Sequence, residues 1–408
     1  MKKRLLLLFA IIGPGIITAN IDNDAGGITT YSVAGARFGY SLLWTLIPTT
    51  ITLIVVQEMV ARMGVVTGRG LSDIIRERYG VKVTVYMMIA LLIANYSTTV
   101  AEFAGWAASF ELLGISRYIS VPIAVFAVWI LVTKGTYRSV ERILLAACVI
   151  YIGFIISAFM ARPEWGEVLR NTFTPRFKLD SEYVMMTIGI VGTTITPWMQ
   201  FYLQSSISEK GIRKEDYRYS KLDVVIGCSI TDIIAFFIIV TSAATLFPLG
   251  IRIENASEAA MALEPMAGKY ASTIFAVSLA NASLLGAIIV PLATAYYICE
   301  GIGWEAGINK TFEEAPQFMW LYTGLIALSA LVVLFPKAPL ITIMVIAQVI
   351  NGIILPFVLI YVLLLVNNKE LMNNYVNPRS YNIIAWITIG VMILLSVILF
   401  VTIFIPNL

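Results

Sequence analysis

Histidine is absent from this 408-residue sequence, and charged residues are scarce. The lack of histidine excludes imidazole metal ligands and histidine proton relays. The three cysteines, Cys148, Cys228 and Cys299, lie in apolar runs without CxxC spacing, so we interpret them as core residues and infer no disulfide framework. Only 13% of residues are charged, against about a quarter in a soluble domain. The composition therefore excludes an ordinary soluble protein.

The sequence consists largely of long apolar segments. The hydrophobic fraction is 59% and the mean hydropathy is +0.85. A membrane helix needs about 20 apolar residues. The sequence predicts an all-α integral membrane protein, with one transmembrane domain over residues 1–408. Its eleven candidate helices are roughly 5–36, 41–63, 83–113, 119–133, 140–161, 183–206, 222–247, 269–302, 317–335, 340–366 and 382–405.

The distribution of Lys and Arg predicts the orientation of these helices. With a cytoplasmic N-terminus, 19 of the 28 basic residues fall at cytoplasmic helix ends, which favours this topology and an extracellular C-terminus. The basic run 210–221 also contains Glu215 and Asp216. We therefore interpret it as a solvated topogenic loop and not as a nucleic-acid site.

The first segment carries charge where a membrane helix should run. Asp22 and Asp24 stand there, followed by Gly26 and Gly27. A carboxylate at bilayer depth is costly and marks a functional site, and paired glycines permit unusual backbone angles. The stretch predicts a broken helix whose gap holds an ion. The alternative is that both acids lie at a helix end near the membrane interface.

The sixth segment contains a second interruption. Pro197 lacks an amide hydrogen and obstructs the preceding turn. Thr193, Thr194 and Thr196 can bind the backbone groups that a break sets free. A proline kink without a site is the alternative. Breaks in segments one and six predict a five-plus-five inverted repeat of the amino-acid-transporter type, with repeat one over about 5–161, repeat two over about 183–366 and an extra helix at 382–405.

Three stretches of the chain resemble the NRAMP divalent-metal transporters. They are GPG…DAGG…AGARFGYSLLW in segment one, QEMVARMGVVTGRGLSDIIRERYG in the next segment and loop, and residues 348–379 near the C-terminus. The resemblance covers most of the chain and places Asp24 on the family's metal-binding Asp. It implies a secondary transporter in the lipid bilayer that is not an enzyme and has no cofactor. Divalent metal ions are its cargo, and no nucleic acid or obligate protein partner is expected.

Departures from the family pattern carry further information. The family's Asn ligand is here Gly27, its Met ligand is Thr196, its helix-six His is Trp198, and its proton-linked Asp in helix three is Thr99, while Glu102 remains. This combination is most like the NRAMP-related magnesium transporters, a bacterial branch without the thioether and without proton coupling. The implied location is therefore the plasma membrane of a bacterium.

The resemblance implies an ion site built from both breaks. The expected metal ligands are Asp24, Asp22, Gly27, Ile21, Thr193, Thr196 and Gln348. Glu102, Thr99 and Trp198 are expected to be the remains of a proton relay. Methionine sulfur favours softer metals, whereas oxygen ligands suit Mg²⁺ and Mn²⁺. We therefore expect uptake of Mg²⁺ and Mn²⁺ as hydrated ions, by alternating access and without protons.

Three other functions remain open from the sequence. A proton-coupled Mn²⁺ or Fe²⁺ symporter of the main family is the nearest alternative. A sodium-coupled amino-acid transporter of the same fold would need an amine site in helix one. A membrane hydrolase fits least, because no nucleophile-base constellation stands out and histidine is lacking.

Overall fold

The computed structural model describes residues 23–135 and 151–404, and within these ranges the secondary structure is helical. We number the α-helices in chain order. They are α1 (Ala25–Phe38), α2 (Leu46–Thr67), α3 (Leu71–Leu112), α4 (Arg117–Lys134), α5 (Ile152–Met160), α6 (Trp165–Phe173), α7 (Ser181–Thr194), α8 (Pro197–Lys210), α9 (Tyr217–Thr245), α10 (Ala256–Ala260), α11 (Glu264–Ala267), α12 (Ala271–Ile302), α13 (Pro316–Val333), α14 (Leu340–Val366), α15 (Lys369–Met372) and α16 (Arg379–Phe404).

Eight stretches of the described residues are long and apolar enough to cross a membrane. The stretch Ala25–Thr67 joins the first two predicted segments, and the sixth segment is divided into two helices of 14 residues each. The fifth predicted segment begins in residues 136–150, which lie outside the described ranges. The all-helical membrane architecture is thus confirmed, and the count of eleven stays a prediction.

Helix six is broken where the sequence predicts. α7 ends at Thr194, and Ile195 then leaves the helical region with φ −122° and ψ 63°. Thr196 is extended, with φ −66° and ψ 139°, and Pro197 begins α8. Proline suits this first helical position because its φ is fixed and it needs no hydrogen-bond acceptor there. Helix six is therefore fully interrupted, as predicted, and not merely kinked at Pro197.

The start of α1 corrects one expectation about the first break. Gly26 and Gly27 lie in the first helical turn and do not supply unwound backbone. The Asp24 carboxylate accepts the Gly27 N–H at 2.6 Å, which stabilises a helix that begins at Ala25. Residues 1–22, which contain the rest of the predicted gap, lie outside the described ranges.

The helices pack in pairs that an inverted repeat predicts. α1 packs against α9, and α8 packs against α2. α1 and α2 belong to predicted segments one and two, α8 to segment six and α9 to segment seven. An inverted repeat pairs segment one with six and segment two with seven, so the two contacts are equivalent. α3 and α12 form the most extensive contact in the bundle, and α14 packs along α3 and α7. The arrangement places the start of α1, the middle of α3 and the middle of α14 together.

Two glycines bring α7 and α14 into close contact. A Cβ at Gly192 would overlap the backbone of Gln348 and Gly352, and one at Gly352 would overlap the Ile188 carbonyl oxygen. Small residues allow membrane helices to approach this closely. The contact brings Gln348 beside the last turn of α7.

α3 is longer than its predicted apolar segment. Gly80, with φ 80° and ψ 174°, interrupts its 42 residues. Before this point the helix is amphipathic, with Leu71 and Ile74 buried and Glu77 and Arg78 exposed. The charged face lowers local hydropathy, which explains why the apolar pattern places the helix start at residue 83.

Candidate metal site

The Asp24 carboxylate lies inside the protein at the N-terminus of α1. Only 2% of the residue is exposed, its Oδ1 accepts the Gly27 N–H at 2.6 Å, and its backbone oxygen accepts the Ile28 N–H at 2.9 Å. Free N–H groups and the helix dipole favour negative charge at this position. Asp24 therefore lies at a helix end, as the alternative holds, but it is buried within the protein.

Glu102 of α3 faces the same helix start. Its Oε2 accepts the Ala25 N–H at 3.4 Å, and its carboxyl group is within hydrogen-bonding reach of the Asp24 carboxyl. Its Oε1 is buried without a hydrogen-bond partner among the described residues. Thr99, one turn earlier, donates to the Asn95 carbonyl at 2.7 Å. Of the predicted relay residues, Glu102 therefore contacts Asp24, and the Thr99 hydroxyl is used within its own helix.

Gln348 of α14 closes the site from a third direction. A Cβ at Gly26 would overlap the Gln348 amide nitrogen and would lie 3.3 Å from Asp24 Oδ1. Asn351 donates to Gln348 Oε1 at 2.9 Å. In this orientation the amide nitrogen faces α1, so Gln348 must rotate its amide to offer oxygen to a metal. The hydrogen bond from Asn351 identifies which atom of the Gln348 amide is the oxygen.

Asn351 is a site residue that sequence reasoning missed. It is fully buried and donates to both Gln348 Oε1 and Thr98 Oγ1 at 2.9 Å. It follows Gln348 by three residues, so the two side chains share a face of α14. A polar pair at this spacing within an apolar helix is the signal that could have identified it.

The break in helix six contributes buried hydroxyl groups. Thr193 and Thr196 are at most 2% exposed, and neither hydroxyl has a hydrogen-bond partner among the described residues. Between them, Thr194 Oγ1 is hydrogen-bonded to the Tyr31 hydroxyl at 2.7 Å, which joins α7 to α1. Trp198 is fully buried in the first turn of α8, and its indole N–H is also unpartnered there.

A sulfur atom lies one turn from Gln348. Met344 Sδ accepts a hydrogen bond from Thr29 Oγ1 at 3.4 Å. The same sulfur would lie 3.3 Å from a Cβ at Gly105, so it is packed between α1 and α3. Position 196 itself offers a hydroxyl and no thioether.

The predicted ligands fall into three groups. Asp24, Gly27 and Gln348 meet at the start of α1. Thr193 and Thr196 lie at the break in helix six, which is tied to α1 through Tyr31. Asp22 and Ile21 lie outside the described residues. The described ranges contain no group of three or more Cys, Asp or Glu side chains placed to share a metal. A cation here would therefore depend on one or two carboxylates with amide, hydroxyl and backbone oxygens, a set that suits hard ions.

Comparisons with known proteins extend over nearly the whole chain. Residues 15–402 match the family profile Nramp, "Natural resistance-associated macrophage protein-like". A divalent metal cation transporter, MntH, from Chromohalobacter salexigens is 28% identical over 401 residues, which are 95% of this chain and 90% of that protein.

Two solved structures show the fold. A manganese transporter from Eremococcus coleocola superimposes with a TM-score of 0.78 and 23% identity, covering 98% of this chain and 89% of the other. MhsT, solved with L-phenylalanine, gives a TM-score of 0.62 and 14% identity, covering 95% of this chain and 98% of the other. The amino-acid-transporter type of fold is thereby confirmed. Because the family profile spans almost the entire sequence, this chain belongs to the Nramp family, whose members are transporters and not enzymes.

Proposed function

We propose that this protein takes up the divalent cations Mg²⁺ and Mn²⁺ as hydrated ions, by alternating access and without coupled proton movement. One observation carries the proposal. The buried Asp24 carboxylate faces the Glu102 carboxyl and the Gln348 amide at the start of α1, and position 196 carries a threonine where the family pattern has a thioether. Divalent metal transport as such is supported by the MntH relative and by the structural likeness to a manganese transporter.

The ligand chemistry supports hard cations. Oxygen ligands suit Mg²⁺ and Mn²⁺, and thioether sulfur favours softer metals. The Met344 sulfur is engaged by Thr29, so it does not substitute for a sulfur at position 196. Mg²⁺ gives up its waters reluctantly and usually binds through one or two carboxylates. Small side chains at Ala25 and Thr196 leave room for such waters once the site opens.

The buried state of the site supports alternating access. Asp24, Thr196 and Gln348 are at most 2% exposed in this structure. An ion reaches them only if helices move apart on one side and then on the other. Broken helices at a central site are the elements that transporters of this architecture use for this movement.

The membrane potential supplies enough driving force without protons. A divalent cation that crosses 100 mV gains about 4.6 kcal/mol, since each charge gains about 2.3 kcal/mol. This energy corresponds to an accumulation of more than about 1,000-fold. Mg²⁺ is an abundant ion, so its uptake needs no driving force beyond the membrane potential.

Proton-coupled transport of Mn²⁺ or Fe²⁺ is the second candidate, and one contact favours it. The Glu102 carboxyl lies against Asp24, and a buried acidic pair is a group that can release a proton when a cation arrives. The substitution of the helix-three Asp by Thr99 argues against an onward path, because the Thr99 hydroxyl donates within its own helix.

Flux measurements in proteoliposomes test the proposal. We expect the wild-type protein to admit both Mg²⁺ and Mn²⁺ while a pH dye inside the vesicles reports no metal-driven acidification. The Asp24→Ala protein is expected to admit neither ion. Acidification in step with the metal would establish the proton-coupled alternative. Metal influx that persists in the Asp24→Ala protein would show that transport does not require Asp24.

We also propose a plasma-membrane protein with a cytoplasmic N-terminus, on the basis of the Lys and Arg distribution. A matched pair of single-cysteine variants tests it. Glu215→Cys in the 211–216 loop should be labelled by an impermeant reagent only after cell lysis, and Ser257→Cys in α10 should be labelled on intact cells. The reverse labelling pattern would show that the N-terminus is extracellular.

A further inference from the structure

The short turn between α2 and α3 is the meeting point of four helices. Ser208 of α8 donates to the Gly68 carbonyl at 2.6 Å, and Gln204 of α8 donates through Nε2 to the Arg69 carbonyl at 2.9 Å. At Gly70, the third residue of the turn, a Cβ would overlap the Glu300 carboxylate of α12. Glycine is therefore required at this position to admit the carboxylate.

Two acceptor oxygens at this turn are left without donors. Glu300 Oε1 accepts the Ser205 hydroxyl at 2.6 Å, but Glu300 Oε2 is buried without a hydrogen-bond partner among the described residues. Gln204 is fully buried, and its Oε1 is likewise without a partner there. Burying an acceptor without a donor is costly. Two such oxygens at one turn, one of them from a carboxyl group, make a site that a cation would satisfy.

The acids beside Glu300 make a cation a favourable partner. The carboxylates of Asp73 and Glu209 oppose a negative charge on Glu300, a cost that a bound cation would offset. Arg69, the basic residue of the turn, already pairs with Asp73 at 2.7 Å and with Glu77 at 2.5 Å.

Glu209, a neighbouring acid, shows that carboxylates at this end of the bundle can be fully paired. Its Oε2 accepts the Tyr296 hydroxyl at 2.6 Å, and its Oε1 accepts the Asn309 amide at 3.0 Å. Glu300 lacks a second partner of this kind. The difference between the two acids makes Glu209 a matched control.

α8 connects this turn to the break in helix six. Thr196, Gln200 and Gln204 follow one another at four-residue intervals, so they lie on one face of the helix. All three are at most 2% exposed, and each has a side-chain polar atom without a partner in the described ranges. Gln57 of α2 donates to Gln200 at 3.5 Å. A polar face thus runs from the proposed transport site to Glu300.

We infer that Glu300, Gln204 and Ser205 form a second cation site, separate from Asp24, which takes a hard divalent ion such as Mg²⁺ or Mn²⁺. Carboxylate, amide and hydroxyl oxygens are ligands that such ions prefer. The site lies at the end of the bundle that the basic residues predict to be cytoplasmic, so it holds the ion as it leaves. This role in release rests on the proposed function, whereas binding at Glu300 does not.

Mn²⁺ titration of the purified protein in detergent, followed by electron paramagnetic resonance, tests the inference. We expect two bound Mn²⁺ per wild-type chain and one per Asp24→Asn chain. The double variant Asp24→Asn/Glu300→Gln should bind none above background. The control Asp24→Asn/Glu209→Gln should keep one, because the Glu209 oxygens are already paired. Melting temperatures check that each variant is folded.

A second variant covers the case in which Glu300→Gln fails to fold. Gly70 has φ −67° and ψ 155°, which alanine adopts freely, so Gly70→Ala acts only by displacing the Glu300 carboxylate. In the Asp24→Asn background, Gly70→Ala should raise the dissociation constant of the remaining Mn²⁺ at least tenfold. An Asp24→Asn protein without bound Mn²⁺, or a residual ion that survives loss of Glu300, would overturn the inference. Unchanged metal influx in Asp24→Asn would instead overturn the proposed function and leave the second site standing.

Discussion

The start of α1 and the break in helix six differ in how their polar groups are satisfied. At the start of α1, Asp24 is fixed by the Gly27 N–H and faces Glu102 and Gln348. At the break in helix six, the hydroxyls of Thr193 and Thr196 are buried without partners among the described residues. At the start of α1 the carboxylate of Asp24 is held in place by the Gly27 N–H, whereas the break in helix six is neutral and two of its threonine hydroxyls are unpaired within the described ranges.

The difference separates two tasks within one site. A carboxylate that is already oriented supplies attraction for a cation without reorganisation. Unpaired hydroxyls at a helix break can turn toward an ion or toward its waters. We therefore expect substitutions at Asp24 to change whether an ion binds, and substitutions at Thr196 to change which ion binds.

The largest effect is expected from Asp24→Asn. Asparagine caps a helix as well as aspartate does, so the fold should be kept while the charge is lost. Because changes outside the ligand shell alone cost 10- to 100-fold in metal affinity, we expect transport to fall by at least about 100-fold. Mn²⁺ influx and melting temperature measured together check this. If this variant transports normally, the negative charge of Asp24 is not what attracts the cation.

Asp24→Ala is the companion to that substitution. It removes the cap together with the charge, so the free energy of unfolding should fall by about 1 kcal/mol relative to Asp24→Asn. Denaturation in detergent measures the difference. Equal stability of the two variants would mean that the Gly27 hydrogen bond contributes little to the start of α1.

The neutral break is tested by Thr196→Met. A thioether at this position should favour softer metals, and we expect the ratio of Cd²⁺ to Mg²⁺ transport to rise about tenfold. Competition of Cd²⁺ against Mg²⁺ influx measures the ratio, with Thr196→Ser as the control that keeps a hydroxyl. A rise of equal size in Thr196→Ser would show that the change does not depend on sulfur, because serine keeps the hydroxyl and adds no thioether.

A smaller effect is expected from Gly26→Ala. The new methyl group would overlap the Gln348 amide, and overpacking of this kind typically costs about 1–3 kcal/mol. Gln348→Ala should relieve the overlap, so the double variant should be more stable than the sum of the single changes predicts. Melting temperatures of the four proteins check the cycle. Additive effects would indicate that Gly26 and Gln348 do not meet.

The smallest effect is expected from Tyr31→Phe, which removes the hydroxyl that joins α1 to α7. Its hydrogen bond to Thr194 is 2.7 Å long, and the loss of one such bond typically costs about 1 kcal/mol. We expect a slightly lower melting temperature and unchanged ion selectivity. A change in selectivity would show that the start of α1 and the break in helix six are coupled through this contact.

Local features of the site were predictable from the sequence. Pro197 removes a donor and obstructs a turn, so the break in helix six follows from covalent chemistry. A carboxylate such as Asp24 in an apolar segment is costly unless polar groups surround it, and the structure places the Gly27 N–H beside it. In both cases the cause lies within a few residues of the effect.

Contacts between distant segments were not predictable. Gly26 was expected to loosen the backbone, yet it is helical and admits Gln348, a residue more than 300 positions later. Glu300 was not singled out, because its unpaired oxygen depends on Gly70 and Ser205 of other helices. Hydropathy and motif spacing contain no information about such meetings.

The glycine contact between α7 and α14 has a consequence for the transport cycle. Gly192 and Gly352 bring the two backbones so close that a side chain at either position would overlap the other helix. We expect α7 and α14 to travel as a single rigid unit that carries Gln348 along. If they do, the bend between this unit and α8 falls at Ile195, the residue that leaves the helical region between α7 and α8.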